Sequence, residues 1–88
     1  LIYIIIYKLI TKKYFNDIKN GNKKFEVRLN NFKCKKRDII VLIEINNKGI
    51  YTGNIMCKKI NYILNLNKLK FYSKEEIDKY GYQIIQFK

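Results

Sequence analysis

The chain reads as one α+β domain of about five strands and two short helices, its small mixed sheet curled into an open barrel. Three observations predict this. Apolar runs rich in β-branched residues recur at 2–9 and 39–45. A second set of segments alternates apolar and polar residues. Two short stretches, at 12–20 and after Ser73, carry helix signals instead. The predicted order is β-α-β-β-β-α-β, spread over all of residues 1–88 with no internal repeat or linker.

The first strand covers about residues 2–9. Thr11 then reads as an N-cap, and Lys12 to Asn20 as a helix with Tyr14, Phe15 and Ile18 on its apolar side. Gly21 suits the left-handed position that ends a helix. A strand follows to about Leu29, in which Phe25, Val27 and Leu29 alternate with Glu26, Arg28 and Asn30. Asn30 to Arg37 is a polar loop, and Asp38 precedes the buried strand at 39–45. Asn46-Asn47-Lys48-Gly49 is turn chemistry, and Tyr51-Thr52-Gly53 reads as a second turn opening a strand to about Ile63. Ser73 and Glu76 make a capping box. Gly81 ends that helix, and residues 82–87 form the last strand. Phe25, Val27, Ile40, Leu42, Ile60 and Ile85 are the expected shared core.

The 48% apolar content and the absence of proline fit a folded domain large enough for one modest core. A net charge of +12 points to an anionic partner, because Lys and Arg that neutralise phosphates release counterions. Lys, Ile, Asn and Tyr dominate the composition, as in a gene rich in A and T, which accounts for part of that charge. With no histidine, Cys34 and Cys57 alone cannot complete a tetrahedral zinc site, and every mechanism needing a histidine base is excluded. Cys57 falls in an apolar pattern as a small core residue; Cys34 is a loop bystander. Nothing in the cysteine usage calls for an oxidising compartment, so a cytoplasmic protein is expected. The apolar start is too short to span a bilayer and lacks the features of a signal peptide. Its first residue is Leu, consistent with a trimmed end or an alternative start codon. No metal or cofactor motif is evident.

The stretch with the most chemistry is Gly21-Asn22-Lys23-Lys24-Phe25-Glu26-Val27-Arg28. As a strand it displays Lys24, Glu26, Arg28 and Asn30 in one row, with Lys23 at the turn. Glu26 and Arg28 two positions apart can pair in solvent, the plainer reading, or share a polar ligand through Arg donors and Glu acceptors.

These residues resemble the signature of the ASCH domains of the PUA-like superfamily, most closely a small bacterial and phage branch of unassigned function. That branch reads Gly-Lys-Lys-Thr-Phe-Glu-Ile-Arg-Lys-Asn-Asp, and Gly21, Lys23, Phe25, Glu26, Arg28 and Asn30 fall on matching positions. Asp38, Glu44, Tyr51-Thr52-Gly53 and Gly81-Tyr82 match further stretches in the same order. Arg37 stands where a Gly is usual, and the usual first-strand His is absent. The resemblance implies a PUA-like open barrel with a cleft lined by the polar row. It also implies a partner, RNA or a modified nucleotide; no cofactor is expected. Lys23, Lys24, Lys58 and Lys59 would meet phosphates; Glu26, Arg28 and Asn30 would read a polar edge. Among the eight tyrosines, which offer surfaces for unpaired bases, Tyr51 is singled out with Thr52 beside it.

The alternative is a small hydrolase, an amidohydrolase or ribonuclease acting on a nucleoside or RNA. It would use Lys23, made reactive by the neighbouring Lys24 cation, with Glu26 or Glu44 as acid/base. Where related amidohydrolases carry a Thr, this chain has Glu26, which favours binding over hydrolysis. Glu44 itself is either a buried acid with a raised pKa or the solvent-facing end of its strand.

Overall fold

A computed structural model describes residues 2–88. Its elements are β1 (Ile5–Thr11), α1 (Lys12–Lys19), β2 (Ile39–Ile45), β3 (Tyr51–Lys59), a 3-10 turn at Leu66–Lys68 and α2 (Lys74–Tyr80). The fold is a small α+β arrangement with an open three-stranded sheet in the order β1-β2-β3. β1 runs parallel to β2 from Ile5 opposite Ile39 to Thr11 opposite Ile45. β3 returns antiparallel, with Ile39 opposite Lys59 and Ile43 opposite Ile55.

Strand β1 passes straight into α1. Thr11 holds the N-cap position with extended backbone, but its side chain makes no capping bond. Phe15 and Ile18 on one side of α1 meet Ile10 and Leu42 of the sheet, and Ile40 and Met56 pack against this cluster. That cluster covers one face of the sheet, while Val41 is buried on the other, in register with Tyr7 and Cys57. On the other face Ile5, Tyr7, Leu9 and Ile55 remain exposed. Cys57 lies opposite Val41 in register and is exposed as well, not a core residue.

Both predicted turns of the central region take positive-φ glycines, but only one is a turn. Asn46 closes the β2–β3 hairpin: its side-chain Oδ1 accepts from the N–H of Lys48 (2.9 Å) and Ile50 (3.0 Å). Tyr51-Thr52-Gly53 instead lies inside β3, where the pairing shifts register between Ile43 and Ile45 and Gly53 has φ 93°. A bulge needs one residue in a conformation that glycine adopts without strain. At the far end, α2 forms as its capping box dictates, with Ser73 Oγ accepting from Glu76 N–H at 3.1 Å and Glu76 Oε1 from Ser73 N–H at 3.0 Å. It buries none of its residues.

Two predicted strands are corrected. Residues 22–29 and 82–87 form no strand, so the sheet has three strands and stays open. Val27 and Ile85 are 57% and 67% exposed, Phe25 and Ile60 are half-buried, and only Ile40 and Leu42 of the expected six join the core cluster. Alternation specifies two faces, but it supplies no neighbour for the backbone to pair with. Here the outer edge of β1 meets the 22–29 segment through a side chain: Arg28 Nη2 donates to Leu9 O at 2.6 Å.

Arg37, just before the buried Asp38, adopts a left-handed backbone. Its φ is 81°, while its N–H donates to Ile60 O at 2.7 Å. A left-handed conformation costs an L-residue about 1–2 kcal/mol, whereas glycine adopts it freely. Arg37→Gly is therefore expected to raise stability by up to about 1 kcal/mol, the gain being trimmed by the freer unfolded chain. Arg37→Val should lower it. Urea unfolding of the three chains checks the order, and a stabilising Arg37→Val would refute it.

Candidate functional site

The helix end creates the site. Gly21, with φ 83°, turns the chain out of α1 while its N–H donates to Ile18 O at 3.2 Å. Lys23 N–H then donates to Asp17 O at 2.9 Å, pinning the next residues beside the helix. From there the Lys23 side chain reaches Glu26 Oε1 at 2.8 Å, and Arg28 Nε reaches Glu26 Oε2 at 2.8 Å. One carboxylate thus holds two cations, one on each oxygen. All three side chains are at most 29% exposed. The Lys23 ammonium also lies 4.7 Å from the Tyr14 ring centroid and 5.3 Å from that of Phe25, within reach of cation–π attraction.

This triad lines an open cleft of about 690 Å³ between the end of β1, α1 and the 22–28 segment. Tyr14, Asp17 and Phe25 complete its functional lining. Sequence reasoning named the triad but missed Tyr14 and Asp17 as cleft residues. Their place on α1 is visible in the sequence; that the chain folds back over this side of the helix is not. The remaining expected site residues do not join the cleft. Lys24 and Asn30 are exposed, and Lys24 uses its N–H to bond Gln86 Oε1 at 2.6 Å. Tyr51 and Lys58 are exposed on β3, opposite Ile45 and Ile40.

Glu44 and Thr52 form a separate cluster. Glu44 is 2% exposed, and its Oε1 accepts from Thr52 Oγ1 at 2.6 Å and Asn54 Nδ2 at 3.1 Å. The bulge brings both donors to one carboxylate. The Thr52 bond, then the Asn54 bond, outweighs burial, and the charges of Lys12 and Lys19 help; the carboxyl is held below its ordinary value. A buried acid with a raised pKa is thus corrected to a buried carboxylate. Asp38 is the second, with no exposed surface. Burial pushes its carboxyl up, but the Lys35 ammonium at 2.9 Å and the N–H groups of Ile4 (3.0 Å) and Lys35 (2.8 Å) more than offset this.

Both groups have depressed folded-state values, so the unfolded chain binds more protons and stability rises with pH through this window. Their contribution is complete above the ordinary values of 3.8 for Asp38 and 4.5 for Glu44, and is lost as pH falls through the lowered ones. Glu44→Gln should flatten the acid limb of a stability–pH profile while lowering stability at neutral pH. An acid limb as steep as wild type would show that Glu44 does not drive it.

Among the described residues no group of three or more His, Cys, Asp or Glu gathers to hold a metal ion. No helix among them is long and apolar enough to cross a membrane. The fold and cleft define a small basic α+β domain with a charge-paired recess beside its first helix. It belongs to the family described as Domain of unknown function (DUF3850), whose pattern it matches over residues 7–78. No curated protein matches the chain.

Proposed function

We propose that the protein is a cytoplasmic binding module for RNA or a modified nucleotide, related to the ASCH domains of the PUA-like superfamily. In this reading the open three-stranded sheet is the reduced counterpart of the superfamily's pseudo-barrel. Residues 22–29 and 82–87 would then correspond to the strands that close the barrel elsewhere in the superfamily. The observation that carries the reading is the Lys23–Glu26–Arg28 triad facing an open cleft with two aromatic rings beside it. The net charge of +12 supplies long-range attraction for a polyanion. Binding is favoured over hydrolysis because Glu44 does not line the cleft and is engaged by Thr52 and Asn54. Lys23 and Glu26, the other members a hydrolase would need, are bonded to each other.

Arg28→Ala tests this. Arg28 donates to Glu26 and Leu9 O, and its loss should weaken binding of a labelled single-stranded RNA roughly 10-fold, about 1.4 kcal/mol. The far-UV spectrum should stay close to wild type and unfolding should remain cooperative, with a midpoint only modestly below that of wild type. Equal RNA affinity in Arg28→Ala removes the cleft from the interface. Robust nucleoside or RNA hydrolysis by wild type, abolished in Glu26→Gln, would replace the binding reading with the hydrolase.

A further inference from the structure

We infer that the cleft takes an uncharged, planar, hydrogen-bonding group, a nucleobase or nucleoside, and that phosphates are held outside it. This rests on the nucleotide-binding reading and narrows it. The protein as a whole carries +12, but the charged residues lining the cleft are Asp17, Lys23, Glu26 and Arg28, whose formal charges cancel. The recess is thus locally neutral on a strongly basic molecule. Its two cations are not poised for an anion either. Lys23 is bonded to Glu26 and set against the rings of Tyr14 and Phe25.

The hydrogen-bonding capacity left over has a particular character. Arg28 spends one N–H on Glu26 and one on Leu9 O, and a guanidinium has five. Each Glu26 oxygen accepts one bond from a cation and retains acceptor capacity. Donors and acceptors therefore stand side by side, matching an amide-like edge that carries both. A phosphodiester offers acceptors only, and any phosphate would bring its negative charge against Glu26 and Asp17. Tyr14 and Phe25 add apolar surface for a flat ring. The phosphates of a longer ligand then fall to lysines outside the lining, such as Lys13, whose Nζ lies 5.3 Å from the Tyr14 ring centroid.

The test titrates the full chain with the four common ribonucleosides, their 5′-monophosphates and inorganic phosphate, at about 50 and 200 mM salt, against a bound labelled RNA. At least one nucleoside should displace the RNA, with affinity nearly independent of salt, and inorganic phosphate should not compete. Asp17→Asn gives the lining one net positive charge. Its affinity for the monophosphate should rise and its salt dependence should steepen by about 3-fold over the same range, as one added phosphate contact predicts. Competition by inorganic phosphate in wild type, or nucleoside binding that weakens about 3-fold with salt, overturns the inference. RNA binding that no nucleoside displaces also overturns it while leaving the RNA-binding reading intact. If neither RNA nor nucleoside binds, both fail together.

Discussion

Leu42→Ala should cost about 3 kcal/mol of folding stability, a large share of the roughly 5–10 kcal/mol expected of a domain this size. Leu42 is 1% exposed, and it packs on β2 among Ile10 of β1 and Phe15 and Ile18 of α1. Among the described residues, Ile40 and Met56 pack against that cluster from outside. With so few side chains in the core, little can shift to fill the space a truncated leucine leaves. The penalty then combines lost transfer energy with a persistent cavity. Ile85→Ala and Val27→Ala are the informative controls, since both side chains are more than half exposed and should change stability by less than about 0.5 kcal/mol. Urea unfolding followed by circular dichroism measures all three. If Ile85→Ala or Val27→Ala proves as costly as Leu42→Ala, the core extends beyond the cluster around Leu42 and the ranking is refuted.

That contrast marks where the sequence is legible. Local signals with their own chemistry translate directly. Ser73 and Glu76 cap α2, Gly21 ends α1, Asn46 and Gly49 make the hairpin, and the apolar run at 39–45 becomes the central strand. Each needs only a few neighbouring residues to be right. The alternating segment at 23–29 fails because a strand also needs a partner, and alternation is silent about that. The expected sides are not kept: Glu26 is half-buried like Phe25, while Val27 and Leu29 are exposed. The pairing of Glu26 with Arg28 survives, being a matter of reach along the chain rather than of sheet membership. Tyr14, Asp17 and the Glu44–Thr52–Asn54 cluster depend on how the chain doubles back and where a bulge falls. Gly53 is the sequence signal that locates that bulge, and it reads equally well as a turn.

Replacing Glu26 should produce the largest functional change, and the way it is replaced should decide which function suffers. Glu26→Ala removes the acceptor from both Lys23 and Arg28 and leaves two cations in the same recess, each at most 29% exposed. Loss of hydrogen bonds to charged groups, tempered by partial solvation, should cost roughly 1–2 kcal/mol of stability and free the 22–28 segment. Binding should fall with it, because that segment forms one wall of the cleft. Glu26→Gln keeps one acceptor oxygen of nearly the same shape, so one of the two cations remains held and much of the stability with it. The double variant Glu26→Ala/Lys23→Ala separates charge repulsion from lost bonding. Removing the second cation should recover part of the stability lost in Glu26→Ala, since the surviving Arg28 still donates to Leu9 O. Losses that simply add would mean that Lys23 and Glu26 are independent of each other. Thermal melts and RNA titrations of wild type, Glu26→Ala, Glu26→Gln, Lys23→Ala and the double variant read both effects. Glu26 would be a bystander if Glu26→Ala matched wild type in both measurements. If the double variant regains fold but not binding, while Lys23→Ala alone binds as wild type does, the carboxylate itself contacts the ligand. If it regains both, the role of Glu26 is to set the position of Arg28.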